Sequence, residues 1–287
     1  PYIDWTPFFR SWELHGKFPA ILTDDVVGAQ ATELFADAQE MLKQIITKKQ
    51  LKAKGIFGLF PANTINEDDI NVSLNAVEGR EEEDFVFRTL RQQLQKRDGV
   101  VDYALSDFIA PKESGRQDYL GCFCVSTGFG TAELASQYEK NLDDYNSILV
   151  KALADRLAEA FAEYLHKEVR MKHWGYAANE ELSNEELIHE SYKGIRPAPG
   201  YPACPDHLEK LTIWDILKVK ETIGVELTDS LAMWPAASVS GYYFGNPEAR
   251  YFGLGKIKED QVKDFAERKG IDFEKAERWL SPNIVDA

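Results

Sequence analysis

The chain has 287 residues, of which 44% are hydrophobic and 12% aromatic, and its formal net charge is −15. This composition is typical of a globular protein with a sizeable core and excludes a disordered chain. The acidic balance argues against nucleic acid as a partner, because recognition of phosphates needs a basic face.

Membrane and metal signals are also missing from the sequence. No apolar run is long enough to span a membrane and no signal peptide is recognisable, so we expect a cytoplasmic protein with no membrane partner. The cysteines Cys122, Cys124 and Cys204 are too few for a disulfide framework. Cys204 and His207 have a Cys-x-x-His spacing, but no second pair completes a zinc site, so no metal is expected. A first residue of Pro1 suggests a fragment of something longer.

The first half of the chain mixes one long helical pattern with several short strand patterns. Asp24 and Asp25 are expected to cap a helix that extends to about residue 51. A polar helix is predicted at 91–97, and a charged turn between the second and third strands. Pro61 is expected to end the first strand. Strands are predicted at 55–60, 69–74, 85–90, 103–109 and 119–126.

The second half begins with the longest predicted helix, at about 145–172. Hairpin-like strand pairs beside separate runs of helices predict an α+β fold with a mainly antiparallel sheet and long flanking helices. Gly128 and Gly130 alone are a weak dinucleotide signal and are better explained by a turn or helix cap, so the fold is expected to be non-Rossmann. Further helices are predicted at 185–192, 207–223, 258–269 and 273–280, and strands at 239–244 and 251–257.

A proline-rich segment at residues 194–207, here called the strap, carries the strongest functional signal. Its prolines are Pro197, Pro199, Pro202 and Pro205. They fix φ and favour extended neighbours, so the strap should be stiff. Gly200 would let the backbone approach a ligand, and Arg196 is suited to bind a carboxylate through two hydrogen bonds. On composition alone, an ordinary surface loop explains the strap as well as a ligand cradle does.

Three carboxylates on the longest helix form a stack of like charge. Asp155, Glu159 and Glu163 recur at i, i+4 and i+8, which places them on one face. A solvated acidic face is the common explanation for such a stack, and a bound cation is the rarer one. Arg156 is expected to neutralise part of the charge.

Several segments together resemble one known family. The strap contains an Arg-x-x-x-Gly-Tyr pattern in Arg196, Gly200 and Tyr201, and further matching segments in the same order lie at 2–9, 143–145, 151–166, 232–244 and 251–252. These segments resemble the activation domain of cobalamin-dependent methionine synthase. The resemblance covers nearly the whole chain, most weakly at about 64–98. It implies a C-shaped body with a twisted antiparallel sheet, and one activation domain over 1–287 with a small helical subdomain inserted in it.

The resemblance implies a binding site for S-adenosylmethionine. Arg196 would bind the carboxylate of this ligand, and the anionic side chains would attract its ammonium and sulfonium groups. Asp4, Arg196 and Tyr251 match family positions that contact the ligand. Ala198 would offer backbone groups to the adenine, and Phe252 backbone or packing. The residues assigned to the site are Asp4, Glu159, Glu190, Arg196, Ala198, Gly200, Tyr201, Tyr251 and Phe252.

The resemblance also implies a role in reductive reactivation of a methyltransferase of methionine biosynthesis. In the family, the domain docks on the cobalamin-binding module of the same polypeptide and presents S-adenosylmethionine, while a flavodoxin-type or other flavoprotein donor supplies an electron to cob(II)alamin. Transfer of a methyl group from a sulfonium needs positioning and no acid or base, so no catalytic residue is expected. The isolated chain should bind the ligand without turnover. Because flavodoxins are usually acidic, a basic patch near the pocket mouth is predicted.

Two other functions stay open at this point. A stand-alone enzyme acting on a small acidic metabolite would use Arg196 and the nearby carboxylates as its site. A protein-interaction module would use the strap to recognise a partner, as other proline-rich segments do.

Overall fold

The computed structural model describes residues 1–74 and 83–285. Five strands form an antiparallel sheet in the order β3-β2-β1-β4-β7, and β5 and β6 pair separately. The strands are β1 (Lys52–Ile65), β2 (Asp69–Leu74), β3 (Glu83–Arg88), β4 (Asp118–Phe129), β5 (Glu226–Leu227), β6 (Met233–Trp234) and β7 (Ser238–Tyr243). The mainly antiparallel α+β fold predicted from the sequence is therefore confirmed.

Helices pack around this sheet and beside it. The long helix α4 continues directly into a π-helical turn at Val169–His173. No helix among the described residues is both long and apolar enough to cross a membrane. The helices are α1 (Thr6–Ser11), α2 (Gly28–Lys48), α3 (Thr131–Lys140), α4 (Asp144–Glu168), α5 (Asn184–Ile188), α6 (Glu209–Leu217), α7 (Val219–Ile223), α8 (Glu259–Lys269) and α9 (Phe273–Leu280).

The central strand β4 is buried on both faces, which explains its continuous apolar sequence. Alternate side chains of a strand point to opposite faces. Phe123 and Val125 join a core cluster with residues of α4, whereas Cys122 and Cys124 join a cluster that includes residues of α6 and α7. Both cysteines are fully buried free thiols. The sheet is therefore covered by α4 on one face and by α6 and α7 on the other.

Two further cores extend the molecule beyond the sheet. The N-terminal segment packs its aromatic side chains, such as Phe8 and Phe9, against α2, α3 and the first turns of α4. At the C-terminal end, α8 and α9 enclose Phe265 and Leu280. Arg268 of α8 forms an ion pair with Asp69 of β2. This contact places α8 and α9 near the end of the sheet opposite β7.

Three predicted elements are wrong, one because of a local turn and two because of contacts with other segments. Residues 103–109 contain a 3-10 turn at Leu105–Phe108, closed by a hydrogen bond from Ala104 N–H to the Asp107 carboxylate. Residues 91–97 are not helical, since Gln92 N–H donates to the Tyr103 carbonyl. Residues 251–257 form no strand of the sheet and lie against the strap instead, where Leu254 N–H donates to the Pro202 carbonyl at 2.7 Å.

Several boundaries also differ from the prediction. β1 runs through Pro61, which is paired with Tyr119 of β4. Pairing with β2 begins only at the next residue, Ala62, so the missing N–H of Pro61 leaves the β2 ladder intact. The helix predicted at 207–223 is two helices, because Lys218 between them adopts a left-handed φ of 50°. The predicted charged turn after β2 lies outside the described residues.

The glycine-containing turn after β4 is a helix cap. Gly130 is the N-cap of α3 and has φ of 98°, a backbone conformation that glycine adopts without strain. The chain enters α3 directly after an antiparallel strand, whereas a dinucleotide-binding turn follows a parallel one. The prediction of a non-Rossmann fold is confirmed.

Candidate ligand-binding site

The strap lies along the edge strand β7. Ile195 and Phe244 exchange two backbone hydrogen bonds of 3.0 Å, and Tyr242 N–H donates to the Pro197 carbonyl at 2.9 Å. Proline has no N–H, but its carbonyl can still accept a hydrogen bond. The strap can therefore pair with the edge strand β7 without offering a full set of donors to a further strand. The strap is thus held in an extended conformation at the end of the sheet.

Beyond this pairing the strap turns back on itself. Gly200 has φ of 92°, and its N–H donates to the Cys204 carbonyl at 2.8 Å. A Cβ at this position would lie 2.2 Å from Cε1 of His207. The glycine is therefore required by the turn and by the packing of His207, and its predicted contact with a ligand stays a prediction. Cys204 donates its thiol to the Ala198 carbonyl, which closes the same turn.

A cavity of about 580 Å³ opens between the strap, β7 and α4, within the size range of small-molecule sites. Most of the residues that the sequence assigned to a ligand site line it. These residues are Glu159, Glu190, Arg196, Ala198, Tyr201, Tyr251 and Phe252. Helix α4, the end of α5, the strap and the segment after β7 each contribute to this wall, so the fold brings together residues that are far apart in sequence.

Arg196 is the central charged group of this wall. Its side chain is 17% exposed, and its Nη2 lies 3.0 Å from Oε2 of Glu163, which is 10% exposed. Burial acts to lower the pKa of Arg196, but the charge of Glu163 and its neighbours raises it, so the guanidinium stays cationic. The backbone N–H of the same residue donates to the Tyr251 hydroxyl at 3.0 Å. Both the head group and the backbone of Arg196 are thereby fixed beside the cavity.

Glu190 lies just after α5 in a conformation that usually belongs to glycine. Its φ is 53°, in the left-handed region, and its N–H donates to the Leu187 carbonyl. A residue with a Cβ is rare at such a helix end, and strained positions of this kind cluster at functional sites. Partial burial raises the pKa of Glu190, and nearby Arg196 opposes the shift. The wall of the cavity therefore carries a carboxylate that titrates above its ordinary range.

The acidic stack on α4 divides into three environments. Asp155 pairs with the neighbouring Arg156 and is exposed, as expected for a solvated face. Glu159 lines the cavity, and Glu163, one turn later, is buried against Arg196. A solvated acidic face thus explains Asp155. The cation that faces Glu163 is Arg196, a residue of the protein itself.

Asp4 is separate from the cavity wall. Its Oδ1 accepts a hydrogen bond from Thr6 N–H at 3.0 Å at the start of α1, and it is absent from the described residues that line the cavity. Tyr201 lines the cavity but is 60% exposed. Asp4 is therefore outside the described cavity lining, and Tyr201 lies at its solvent-exposed edge.

Glu163, the partner of Arg196, and Ser240, in the cavity wall, were not predicted as site residues from the sequence. Glu163 lies one helical turn from the predicted Glu159, and this spacing was the available signal. Ser240 of β7 lines the cavity with only 3% of its surface exposed, and its hydroxyl has no hydrogen-bond partner among the described residues. No sequence pattern distinguishes this serine from Ser238 two residues earlier. The described residues contain no cluster of three or more His, Cys, Asp or Glu suited to a metal ion.

An α+β fold with a strap laid along its edge strand, and a cavity that gathers one arginine with several carboxylates, defines a domain with a candidate small-molecule site. Residues 1–270 match the family described as "Vitamin B12 dependent methionine synthase, activation domain". The chain belongs to this family. It is thus an activation domain of a methyltransferase of methionine biosynthesis that uses cobalamin, as the sequence motifs implied.

A solved structure supports the assignment. The chain is similar to the protein described as "Crystal Structure of the MetH Reactivation Domain bound to AdoHcy", with 54% sequence identity and a TM-score of 0.94. The match covers 100% of this chain and 87% of the other. The overall fold is therefore shared with a reactivation domain that holds AdoHcy.

Proposed function

We propose that this chain binds S-adenosylmethionine in the cavity beneath the strap and presents its methyl group during reductive reactivation of methionine synthase. The observation that carries the proposal is Arg196, fixed at the cavity wall among carboxylates. AdoHcy, which the similar solved structure contains, is S-adenosylmethionine without the transferred methyl group. A site for one of these molecules therefore offers most of the contacts that the other needs.

The cavity wall can meet each chemical demand of the ligand. Arg196 suits the α-carboxylate through charge-assisted hydrogen bonds. Glu159 and Glu190 would attract the ammonium and the sulfonium. Tyr251 and Phe252 offer ring surface, and the Ala198 backbone would meet the adenine. The roles of Asp4, Gly200 and Tyr201 rest on the family resemblance.

The chemistry asks this domain for positioning only. Cobalamin on the neighbouring module, once reduced by one electron, would supply the methyl acceptor, and S-adenosylhomocysteine would remain in the cavity; the residues of this chain would hold the sulfonium in place for that transfer. We propose that the cobalamin lies on a neighbouring module of the same polypeptide, and that a flavodoxin-type or other flavoprotein supplies the electron in the cytoplasm. A basic patch near the cavity mouth for this donor stays a prediction. Residues 1–287 are proposed to act as one activation domain.

A protein-interaction role for the strap is less suited to the geometry. Pro197 and Pro199 are buried, and the strap backbone is already bonded to β7. Recognition of a proline-rich segment by a partner needs its prolines on the surface. Loss of a protein partner on mutation of the strap, with no small-molecule ligand, would favour this alternative.

Calorimetric titration of the chain with AdoHcy and with S-adenosylmethionine tests the proposal. The parent should bind both, with no turnover. Arg196→Ala should weaken binding by at least about tenfold, because it removes a charge-assisted contact with the ligand carboxylate. Arg116→Ala, which changes an exposed arginine, is the control and should bind like the parent. Absence of binding by the parent, or equal affinities of Arg196→Ala and the parent, would contradict the proposal.

A further inference from the structure

We propose that Glu163 is a positioning residue, which holds the guanidinium of Arg196 in the orientation that receives the carboxylate of the ligand. The inference rests on the proposed function and extends it to a residue that does not line the cavity among the described residues.

The contact between the two residues is close and largely shielded from water. Oε2 of Glu163 lies 3.0 Å from Nη2 of Arg196, and the two side chains are 10% and 17% exposed. An arginine that is free of such a partner can adopt many rotamers, and it loses that freedom when a ligand orders it. A preformed contact on the protein side removes part of this cost before the ligand arrives.

Glu163 also faces a second arginine at ion-pair distance, without a hydrogen bond between the two atoms. Its Oε1 lies 3.9 Å from Nη1 of Arg170, a residue of the π-helical turn with no exposed surface. Arg170 in turn binds both carboxylate oxygens of Glu180, through hydrogen bonds of 2.8 and 2.7 Å. The buried charges therefore alternate from Glu180 to Arg196. A movement of Glu163 would leave the largely buried Arg196 without its carboxylate partner, which favours the observed position of Glu163.

Arg196 keeps donor capacity for a ligand in this arrangement. Only its Nη2 is bonded to Glu163, and its buried Nε has no hydrogen-bond partner among the described residues. A guanidinium has five N–H donors in a rigid plane, so one held edge fixes the direction of the others. The Nη2 edge of Arg196 thus bonds to Glu163 and orients the guanidinium, and further N–H donors remain for the carboxylate of the ligand.

Two conservative variants separate contact from charge. Glu163→Gln keeps the length and the hydrogen-bonding oxygen of the side chain but removes its charge. Glu163→Asp keeps the charge but withdraws the oxygens by one methylene. Glu168→Asp is the matched control, because Glu168 is on the same helix and pairs with the exposed Lys172.

The probes are S-adenosylhomocysteine and 5′-methylthioadenosine, which share the adenosine but differ in the amino-acid end. For S-adenosylhomocysteine, Glu163→Asp should raise the dissociation constant by about tenfold, and Glu163→Gln by no more than about threefold. For 5′-methylthioadenosine, both variants and the control should stay within about twofold of the parent, because this ligand has no carboxylate. Thermal unfolding of each variant verifies that it is folded.

Each other outcome overturns the inference. A larger loss in Glu163→Gln than in Glu163→Asp would show that charge matters and contact does not. Equal losses for the two nucleosides would indicate a change of pocket shape, and unchanged affinities in both variants would show no role. If Glu163→Asp does not fold, Glu163→Ala replaces it as the variant that lacks the contact: weaker binding of S-adenosylhomocysteine alone supports the inference, and unchanged binding overturns it. Failure of the parent to bind S-adenosylhomocysteine would instead contradict the proposed function itself.

Discussion

The hydroxyl of Tyr251 accepts a hydrogen bond from the backbone N–H of Arg196, with 3.0 Å between the two heavy atoms. The two residues are 55 positions apart in sequence, and their contact joins the segment after β7 to the beginning of the strap. Both residues also line the cavity. The tyrosine therefore fixes the backbone from which the guanidinium extends, and it does so without occupying the guanidinium itself.

Tyr251→Phe should weaken the binding of S-adenosylhomocysteine by roughly threefold to tenfold, the cost of one hydrogen bond. The change keeps the ring that lines the cavity but leaves the Arg196 N–H without its acceptor. Titration calorimetry gives the affinity. Tyr119→Phe, which alters an exposed tyrosine of β4, should bind like the parent. Unchanged affinity in Tyr251→Phe would mean that the strap is held well enough by its pairing with β7.

Elements with a strong internal period could be predicted from the sequence. Helix α4 shows a regular apolar stripe, and its core positions, such as Leu149 and Leu153, are fully or almost fully buried. The continuous apolar run of β4 likewise indicates a strand covered on both faces. In these elements the local pattern and the tertiary environment favour the same structure.

Elements that depend on a distant partner could not be predicted. Residues 251–257 have strand-like composition, but their partner is the strap, which cannot offer a continuous ladder. The site shows the same limit. Residue chemistry and the resemblance both pointed to Glu159 and Arg196, and helical spacing placed Glu163 in the same acidic stack. The pairing of Glu163 with Arg196 becomes recognisable only when the fold brings the two side chains to 3.0 Å. Pairing between side chains 33 positions apart leaves no local signature.

Ser240 should contribute a hydrogen bond to the bound ligand. Its hydroxyl is buried at the cavity wall and has no partner among the described residues, and such groups are costly unless a ligand or water satisfies them. Ser240→Ala should therefore lower the affinity for S-adenosylhomocysteine by roughly threefold to tenfold while leaving the stability of the unliganded chain unchanged or higher. Ser238→Ala is unsuitable as a control, because the Ser238 hydroxyl donates to the Pro235 carbonyl. Equal affinity in Ser240→Ala and the parent would contradict this role.

Binding should become weaker as the pH falls, because of Glu190. Partial burial raises the pKa of this carboxyl in the free protein. A bound ammonium or sulfonium would favour the ionised form and lower the pKa again, so binding releases a proton when the pH is below the free value. Affinity for S-adenosylmethionine should thus be constant well above the free pKa and fall as the pH drops through it.

Calorimetry between about pH 7.5 and about pH 4, a range that includes the ordinary pKa of a glutamate, measures this effect as a falling affinity in the parent. Glu190→Gln should bind more weakly at neutral pH and show a flatter profile, since the titrating group is gone. Glu185→Gln, an exposed carboxylate of α5, should keep the profile of the parent. A profile in Glu190→Gln as steep as that of the parent would assign the titration to another group.

The turn of the strap should be sensitive to a single methyl group. Gly200 has φ of 92°, and a Cβ there would lie 2.2 Å from the His207 ring, which also contacts the ring of Trp279. Gly200→Ala should lower the free energy of unfolding by roughly 1–3 kcal/mol for the backbone conformation, and by a further amount for the clash. Gly99→Ala is a matched control, because Gly99 has φ of 83° with nothing within 4 Å of the added Cβ.

The two contributions can be separated with a double-mutant cycle, measured by denaturant unfolding. His207→Ala removes the ring, so in the background of Gly200→Ala it should recover the clash but not the backbone cost. The loss of unfolding free energy that remains, corrected for the effect of His207→Ala alone, should then approach the loss measured for Gly99→Ala. A loss in Gly200→Ala no larger than in Gly99→Ala would show that the His207 ring moves aside freely. The His207 ring would then not be the reason that the strap has a glycine at this turn.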